Sequence, residues 1–150
     1  GDVRPAMLGY RERLNNMIHK LNISSNVYWA GKLREKEMSW CYQNCQAFIM
    51  SSRVEACPNI ALESLSNGCI SISANNPPLP EFYDNIAIYY TSNDERSLAE
   101  AILHILNIGE GQRRSMSEKA RQRAANFSWD KTVERTITEL KEAISYVAQN

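Results

Sequence analysis

This sequence carries no excess of charge of either sign: Lys and Arg number 17 over 150 residues, and Asp and Glu also number 17. Without a basic surplus it lacks the electrostatic footprint of a nucleic-acid binder. Long apolar runs are missing too, and no stretch approaches the ~20 residues of a membrane span. Gly1-Asp2-Val3-Arg4-Pro5 has none of the apolar core of a signal peptide. Histidine is scarce, with only His19 and His104, so no Ser-His-Asp or Cys-His set for nucleophilic catalysis suggests itself. Both histidines fall on helices with amphipathic patterns and read as surface or packing residues. There is no GxGxxG fingerprint for a dinucleotide and no aspartate pair to hold a metal.

The four cysteines, Cys41, Cys45, Cys57 and Cys69, include no CxxC pair, and neither histidine lies near them in sequence. That spacing does not suit zinc. Cys41 and Cys45, four apart, can share a helix face, and the set reads as buried free thiols in a reducing cytoplasm.

What the chain does have is an ordinary globular balance, 43% hydrophobic and 23% charged, enough for one domain with its own core. Leu8, Leu14, Met17, Ile18 and Leu21 follow helical spacing and predict an amphipathic helix from about Ala6 to Leu21. Asn26-Val27-Tyr28-Trp29-Ala30 reads as a short buried strand closed by Gly31, and a helix follows over about 34–44. Strands are expected at 47–50, 69–73 and 86–90. Between the first two, residues 58–67 predict a helix with Pro58 at its first position and Asn67-Gly68 as its stop. Asn75-Asn76-Pro77-Pro78-Leu79-Pro80 reads as irregular loop. Asp94 or a neighbour caps a helix to about Asn107, Gly109 and Gly111 break it, and helices over 112–125 and 129–147 finish the chain. Strands alternating with helices predict an α/β fold: a Rossmann-like parallel sheet with helices on both faces and a helical C-terminal tail.

The stretch from Ser51 to Leu65 holds the candidate chemistry. Glu55 and Glu63 stand eight positions apart across a loop-to-helix junction at the carboxyl end of a strand, where open parallel sheets bind ligands. The backbone N–H groups of Asn59, Ile60 and Ala61, at the start of that helix, are expected to lack intrahelical acceptors. With the helix dipole they suit an anion such as a diphosphate. The glutamates read as two separate acceptors for sugar hydroxyls and not as a contacting acid/base pair. On spacing alone, Glu63 reads equally well as a solvated helix residue and Glu55 as a partner of the helix dipole.

Several weak motifs occur in one order. They are Asn26-Val27-Tyr28-Trp29-Ala30-Gly31-Lys32-Leu33, Ser51-Ser52-Arg53-Val54-Glu55, Pro58-Asn59, Leu62-Glu63-Ser64-Leu65, Asn67-Gly68-Cys69, Pro80-Glu81 and Phe127-Ser128-Trp129. The series resembles the C-terminal, nucleotide-sugar-binding domain of the family-four retaining glycosyltransferases of GT-B fold, over nearly all of residues 1–150. The resemblance implies a hexosyltransferase-type enzyme that moves a sugar from a nucleoside diphosphate to a hydroxyl acceptor with retention, without a cofactor or metal.

By that resemblance Glu55 is the catalytic-site residue that holds hydroxyls of the transferred sugar, and Glu63 holds the ribose. Asn59, Ile60 and Ala61 meet the diphosphate, with Pro58, Ser52 and Arg53 beside them. Gly31, Lys32 and Leu33 flank the base, although Lys32 reads more simply as a surface charge. Phe127-Ser128-Trp129 starts the last helix back toward a partner domain. Relatives point to a lipid-linked or growing-glycan acceptor in bacterial surface polysaccharide synthesis (O-antigen or capsule). They place the enzyme in the cytoplasm, touching the inner face of the membrane through the partner domain.

The chain departs from the family pattern at Ala56-Cys57, where a Gly-Phe-like pair is usual, at Pro77-Pro78-Leu79, where a Gly-Gly pair is usual, and at Asp84-Asn85-Ile86. The family's first strand–helix–strand, its basic phosphate-binding Arg and Lys, and its acceptor domain are not among these residues. The chain is therefore expected to be inactive alone. In a doubly wound sheet the absent strands are central, so completion by another segment, strand exchange in a dimer, or re-pairing of the remaining strands is expected. Competing readings are an epimerase or phosphorylase of the same fold and a non-catalytic nucleotide-binding or interaction domain.

Overall fold

The computed structural model describes residues 5–149, so the leader-free reading of Gly1–Arg4 lies outside the described residues. The chain divides into two compact units, Gly1–Met38 and Ser39–Asn150.

In the first unit a 3-10 turn, Pro5–Met7, runs into helix α1, Leu8–Lys20. The helix forms where its periodicity predicts, but it buries none of its residues, and Leu8, Met17 and Leu21 are exposed. The strand expected at residues 26–30 is not formed. A short 3-10 turn, Ser24–Asn26, gives way to extended chain, and Tyr28 is 84% exposed. A strand needs a neighbour for its N–H and C=O groups, and this apolar run has no ladder partner among the described residues. Instead, Trp29 is held by its indole N–H, which donates to Asn15 Oδ1 at 3.0 Å, and by the Arg11 guanidinium 4.7 Å above its ring. Helix α2, Glu35–Asn44, leads into the second unit.

That unit is built on three parallel strands: β1, Phe48–Met50; β2, Ser71–Ala74; and β3, Ile88–Tyr90. They pair in sequential order, with Ile49 opposite Ile72 and Ser73 opposite Tyr89. All four residues of β2 are buried although successive side chains point to opposite faces, so helices cover the sheet on both sides. The α/β expectation holds. Re-pairing of residues 27–30 into the sheet does not occur.

Helix α3, Asn59–Ser66, crosses from β1 to β2. Pro58 is its N-cap residue and not its first helical one. Its end is a Schellman turn: the Gly68 N–H bonds the Leu65 carbonyl and the Cys69 N–H bonds the Ser64 carbonyl, both at 2.9 Å. Gly68 has φ +71°, and a Cβ there would run into the Arg121 guanidinium and lie 2.6 Å from Ser117 Oγ.

The loop expected over 75–80 turns helical at its end, as α4, Leu79–Tyr83. Proline's fixed φ and missing N–H suit a first turn, so the run of prolines permits a helix start that composition argues against. Helix α5, Glu95–Asn107, has the predicted cap: Asp94 accepts from the Arg96 and Ser97 amides at 3.0 Å. Helix α6, Glu110–Ala124, starts ahead of the predicted point. Gly109 is its N-cap residue and Gly111 lies inside its first turn, where amides need no intrahelical partner. Helix α7, Trp129–Gln149, completes the tail.

The core joins Met50, Ile72 and Tyr90 of the strands to Leu65 of α3, Leu79 and Tyr83 of α4, Ile105 of α5 and Ala120 of α6. Each fully buried Leu or Ile there contributes about 1.5–3 kcal/mol. The sheet thereby becomes a rigid base for the loops at its carboxyl edge.

Candidate active site at the carboxyl ends of the strands

β1 ends at Met50, and the chain from Ser51 to Cys57 runs irregularly into α3. Glu55 lies in this segment, half-buried. It makes no hydrogen bond or ion pair among the described residues. Glu63, the fifth residue of α3, stands about 6 Å along the axis from the helix start and is exposed. The two carboxylates thus belong to one loop–helix junction in separate positions.

Two residues that no sequence motif singles out secure this junction. Tyr42, on α2, is 4% exposed and turns its hydroxyl toward Glu63, donating to Oε2 at 3.5 Å. Its ring meets Phe48 edge-on at 5.5 Å. Burial, then the Glu63 charge, push the Tyr42 hydroxyl well above the ordinary tyrosine pKa, so it stays a donor. Asn76, just beyond β2, donates from Nδ2 to Ser92 Oγ at 3.0 Å and to the Ser52 carbonyl at 3.5 Å. Ser52, Asn76 and Ser92 follow β1, β2 and β3 respectively, so Asn76 ties together the loops at all three carboxyl ends. The Asn75 N–H adds a bond to the Tyr90 carbonyl at 3.1 Å.

The bank of open amides is smaller than expected. The Asn59 N–H bonds the Cys57 carbonyl at 2.9 Å, and the Ala61 N–H bonds the Pro58 carbonyl at 2.8 Å. The N-cap conformation of Pro58, ψ 79°, winds the entry tightly enough to engage both. Among the described residues, Ile60 keeps an N–H without such a local acceptor. Arg53 is exposed on the same loop, and Ser52 is half-buried.

Gly31, Lys32 and Leu33 belong to the first unit. There they line a cavity of about 650 Å³ together with Tyr10, Tyr28 and Trp29. Its walls are largely aromatic and aliphatic, which suits a flat, poorly charged group. The structure thus gathers Ser52, Arg53, Glu55, Pro58, Asn59, Ile60, Ala61 and Glu63 around the β1–α3 junction, and Gly31, Lys32 and Leu33 at this cavity.

Phe127-Ser128-Trp129 forms the entry to α7. Phe127 stacks on Phe82 of α4 at 5.7 Å, and Arg123 covers the Phe127 ring from 5.0 Å. Arg123 also donates to the Phe82 carbonyl at 3.0 Å and the Glu81 carbonyl at 2.5 Å. His19 and His104 are exposed, as expected for surface residues. Of the cysteines only Cys69 is buried; Cys45 and Cys57 are exposed and Cys41 is intermediate, so the expectation of uniformly buried thiols fails.

Residues 2–123 match the family model described as glycosyl transferases group 1, and the chain belongs to that family. Solved structures share its fold. A glycosyltransferase from Rickettsia africae superposes with a TM-score of 0.83 at 20% identity over 96% of this chain. Sucrose-phosphate synthase from Thermosynechococcus elongatus gives 0.82 at 18% over 97%. Anabaena HepE, solved in complex with UDP and glucose, gives 0.80 at 17% over 95%. The chain spans 38%, 38% and 39% of those three chains, less than two fifths of each. A comparison with curated protein sequences gave no match. The chain therefore has the fold of a GT-B glycosyltransferase domain. No helix of the described residues is long and apolar enough to cross a membrane.

Proposed function

We propose that residues 1–150 are the C-terminal, donor-binding domain of a family-four retaining glycosyltransferase that takes its sugar from a nucleoside diphosphate. The observation that carries this reading is the β1–α3 junction. Two separated carboxylates and a helix N-terminus share one carboxyl-end loop, and Asn76 and Tyr42 hold it in place. Glu55 holds hydroxyls of the transferred sugar, and Glu63 takes the two ribose hydroxyls as a bidentate acceptor. The Ile60 amide and the α3 dipole receive the diphosphate, with Arg53 as the nearest cation. By the family resemblance, Gly31, Lys32 and Leu33 are the candidates to flank the base.

Catalysis on this reading is positioning plus stabilisation of the departing diphosphate. It calls for no metal, and activity of the complete enzyme is expected to survive a chelator. Acceptor recognition and the remaining phosphate-binding cations fall to a partner domain, so these residues alone transfer no sugar. The acceptor class we favour is a lipid-linked or growing glycan at the inner face of the membrane, in surface polysaccharide synthesis. HepE, solved with UDP and glucose, supports a nucleotide-sugar donor.

Calorimetric titration with UDP, GDP, ADP, their sugars and NAD tests the reading. One nucleoside diphosphate is expected to bind best, with that tight binding lost on Glu63→Ala. Glu55→Ala is expected to weaken the nucleotide sugar more than the bare nucleotide. Preference for NAD, or equal losses for both ligands in Glu55→Ala, would defeat the assignment.

A further inference from the structure

At the opposite end of the strands from the Glu55 loop, two thiols from distant parts of the chain meet. Cys45 follows the end of α2, its N–H bonded to the Cys41 carbonyl at 2.9 Å, and Cys69 stands at the exit of the Schellman turn ahead of β2. Their sulfurs are 3.3 Å apart. Cys45 is exposed, whereas Cys69 is 3% exposed. Both open on a cavity of about 310 Å³ that Ser117, Arg113 and Arg121 of α6 also line. A small oxidant can therefore reach Cys45, and Cys69 lies directly behind it. Neither thiol has a part in the donor site.

We propose that Cys45 and Cys69 are a thiol pair that a peroxide converts to an intrachain disulfide, clamping the end of α2 to the turn that starts β2. Cys45, as thiolate, attacks one oxygen of hydrogen peroxide, becomes a sulfenic acid and releases hydroxide. The Cys69 sulfur then attacks the sulfenic sulfur. An S–S bond forms, the S–O bond breaks, and the departing hydroxide takes the Cys69 proton to leave as water. The balance is two thiols and one peroxide in, one disulfide and two waters out. Burial raises the Cys69 thiol above its ordinary pKa, which keeps Cys69 from reacting first.

The clamp bears on the β1–α3 junction through one turn of helix. Tyr42, whose carbonyl accepts from Cys45 Sγ at 3.7 Å, is the residue that reaches Glu63.

The test uses the Cys41→Ser/Cys57→Ser double variant, in which Cys45 and Cys69 are the remaining cysteines. After hydrogen peroxide, both thiols are expected to disappear from the monomer together. The melting temperature should rise by several degrees, and dithiothreitol should reverse both effects. Adding Cys45→Ser should leave Cys69 unreacted. Should the double variant fail to fold, peroxide-treated wild type digested and fragmented by mass spectrometry must show the Cys45–Cys69 cross-link. Dimers joined through Cys45, irreversible acids on Cys45 with Cys69 still free, or a cross-link to Cys41 or Cys57 would overturn the proposal.

Discussion

Asn76 donates its side-chain N–H to the Ser92 hydroxyl at 3.0 Å, which fastens the loop after β2 to the loop after β3. The same amide reaches back to Ser52, so one short side chain governs the segment that presents Glu55. Asn76→Ala removes these bonds without altering the helices or the core. A cost of roughly 1 kcal/mol is expected, which lowers the melting temperature by about 2–4 °C. Nucleotide-sugar affinity should fall several-fold while bare nucleotide binding changes less, because Glu55 and not Glu63 is loosened. Calorimetry with both ligands separates the two effects.

Tyr42→Phe keeps the ring against Phe48 and deletes the hydroxyl that reaches Glu63. Stability should change by less than ~1 kcal/mol, since the lost bond is long and its acceptor lies at the surface. Bare nucleotide binding is expected to weaken about two- to five-fold, equivalent to under ~1 kcal/mol. An unchanged dissociation constant would remove Tyr42 from the site.

Gly68→Ala meets two obstacles at once. The position needs φ +71°, which costs an L-residue about 1–2 kcal/mol, and the new methyl must displace the Arg121 guanidinium from its place over the turn. Arg121 would then give up its bond to Ser117 Oγ at 3.0 Å. A thermal melt should fall by about 4–8 °C, from a loss near ~2 kcal/mol. Arg121→Ala combined with Gly68→Ala should recover the share of the steric cost owed to Arg121, but neither the 2.6 Å approach to Ser117 Oγ nor the backbone part.

Stability should also decline in alkali. Burial raises the hydroxyls of Tyr42, Tyr83 and Tyr89 above the ordinary value of 10.0, Tyr89 to about 12. Above about pH 10 the unfolded chain loses these protons while the folded chain keeps them. The contribution is therefore complete below pH 10.0 and disappears as the pH climbs toward about 12. Melts recorded between about pH 8 and about pH 11.5 should be flat at first and then slope downward. Tyr89→Phe should flatten part of that slope.

Elements with strong local preferences are legible in the chain itself. β1 and β3 fall within the apolar runs 47–50 and 86–90, β2 starts inside 69–73 and ends one residue beyond it, and Asp94 and Asn67-Gly68 mark a helix start and stop. Asn26–Ala30 misleads because a short apolar run becomes a strand only where another strand offers it a ladder. The prolines at 77, 78 and 80 conceal α4 because the same fixed φ serves a loop or a first helical turn. Glu55 and Glu63 stand out as candidates through their position beside a strand end and a helix start. Tyr42 and Asn76 do not, since their partners lie 21 and up to 24 residues away and no local pattern joins them. The two engaged amides of α3 are hidden for a related reason: the entry angle is set by Pro58 ψ, not by residue type alone.

The sequential order β1-β2-β3 has a consequence for how the larger unit is made. Each new strand docks beside the one synthesised just ahead of it, through a helical crossover, with no need to insert between strands already paired. Assembly can therefore proceed vectorially as the chain leaves the ribosome, one strand and one helix at a time. The crest of the sheet is finished only when Ser92 arrives to receive Asn76, so ligand competence should be missing from nascent chains that stop short of it.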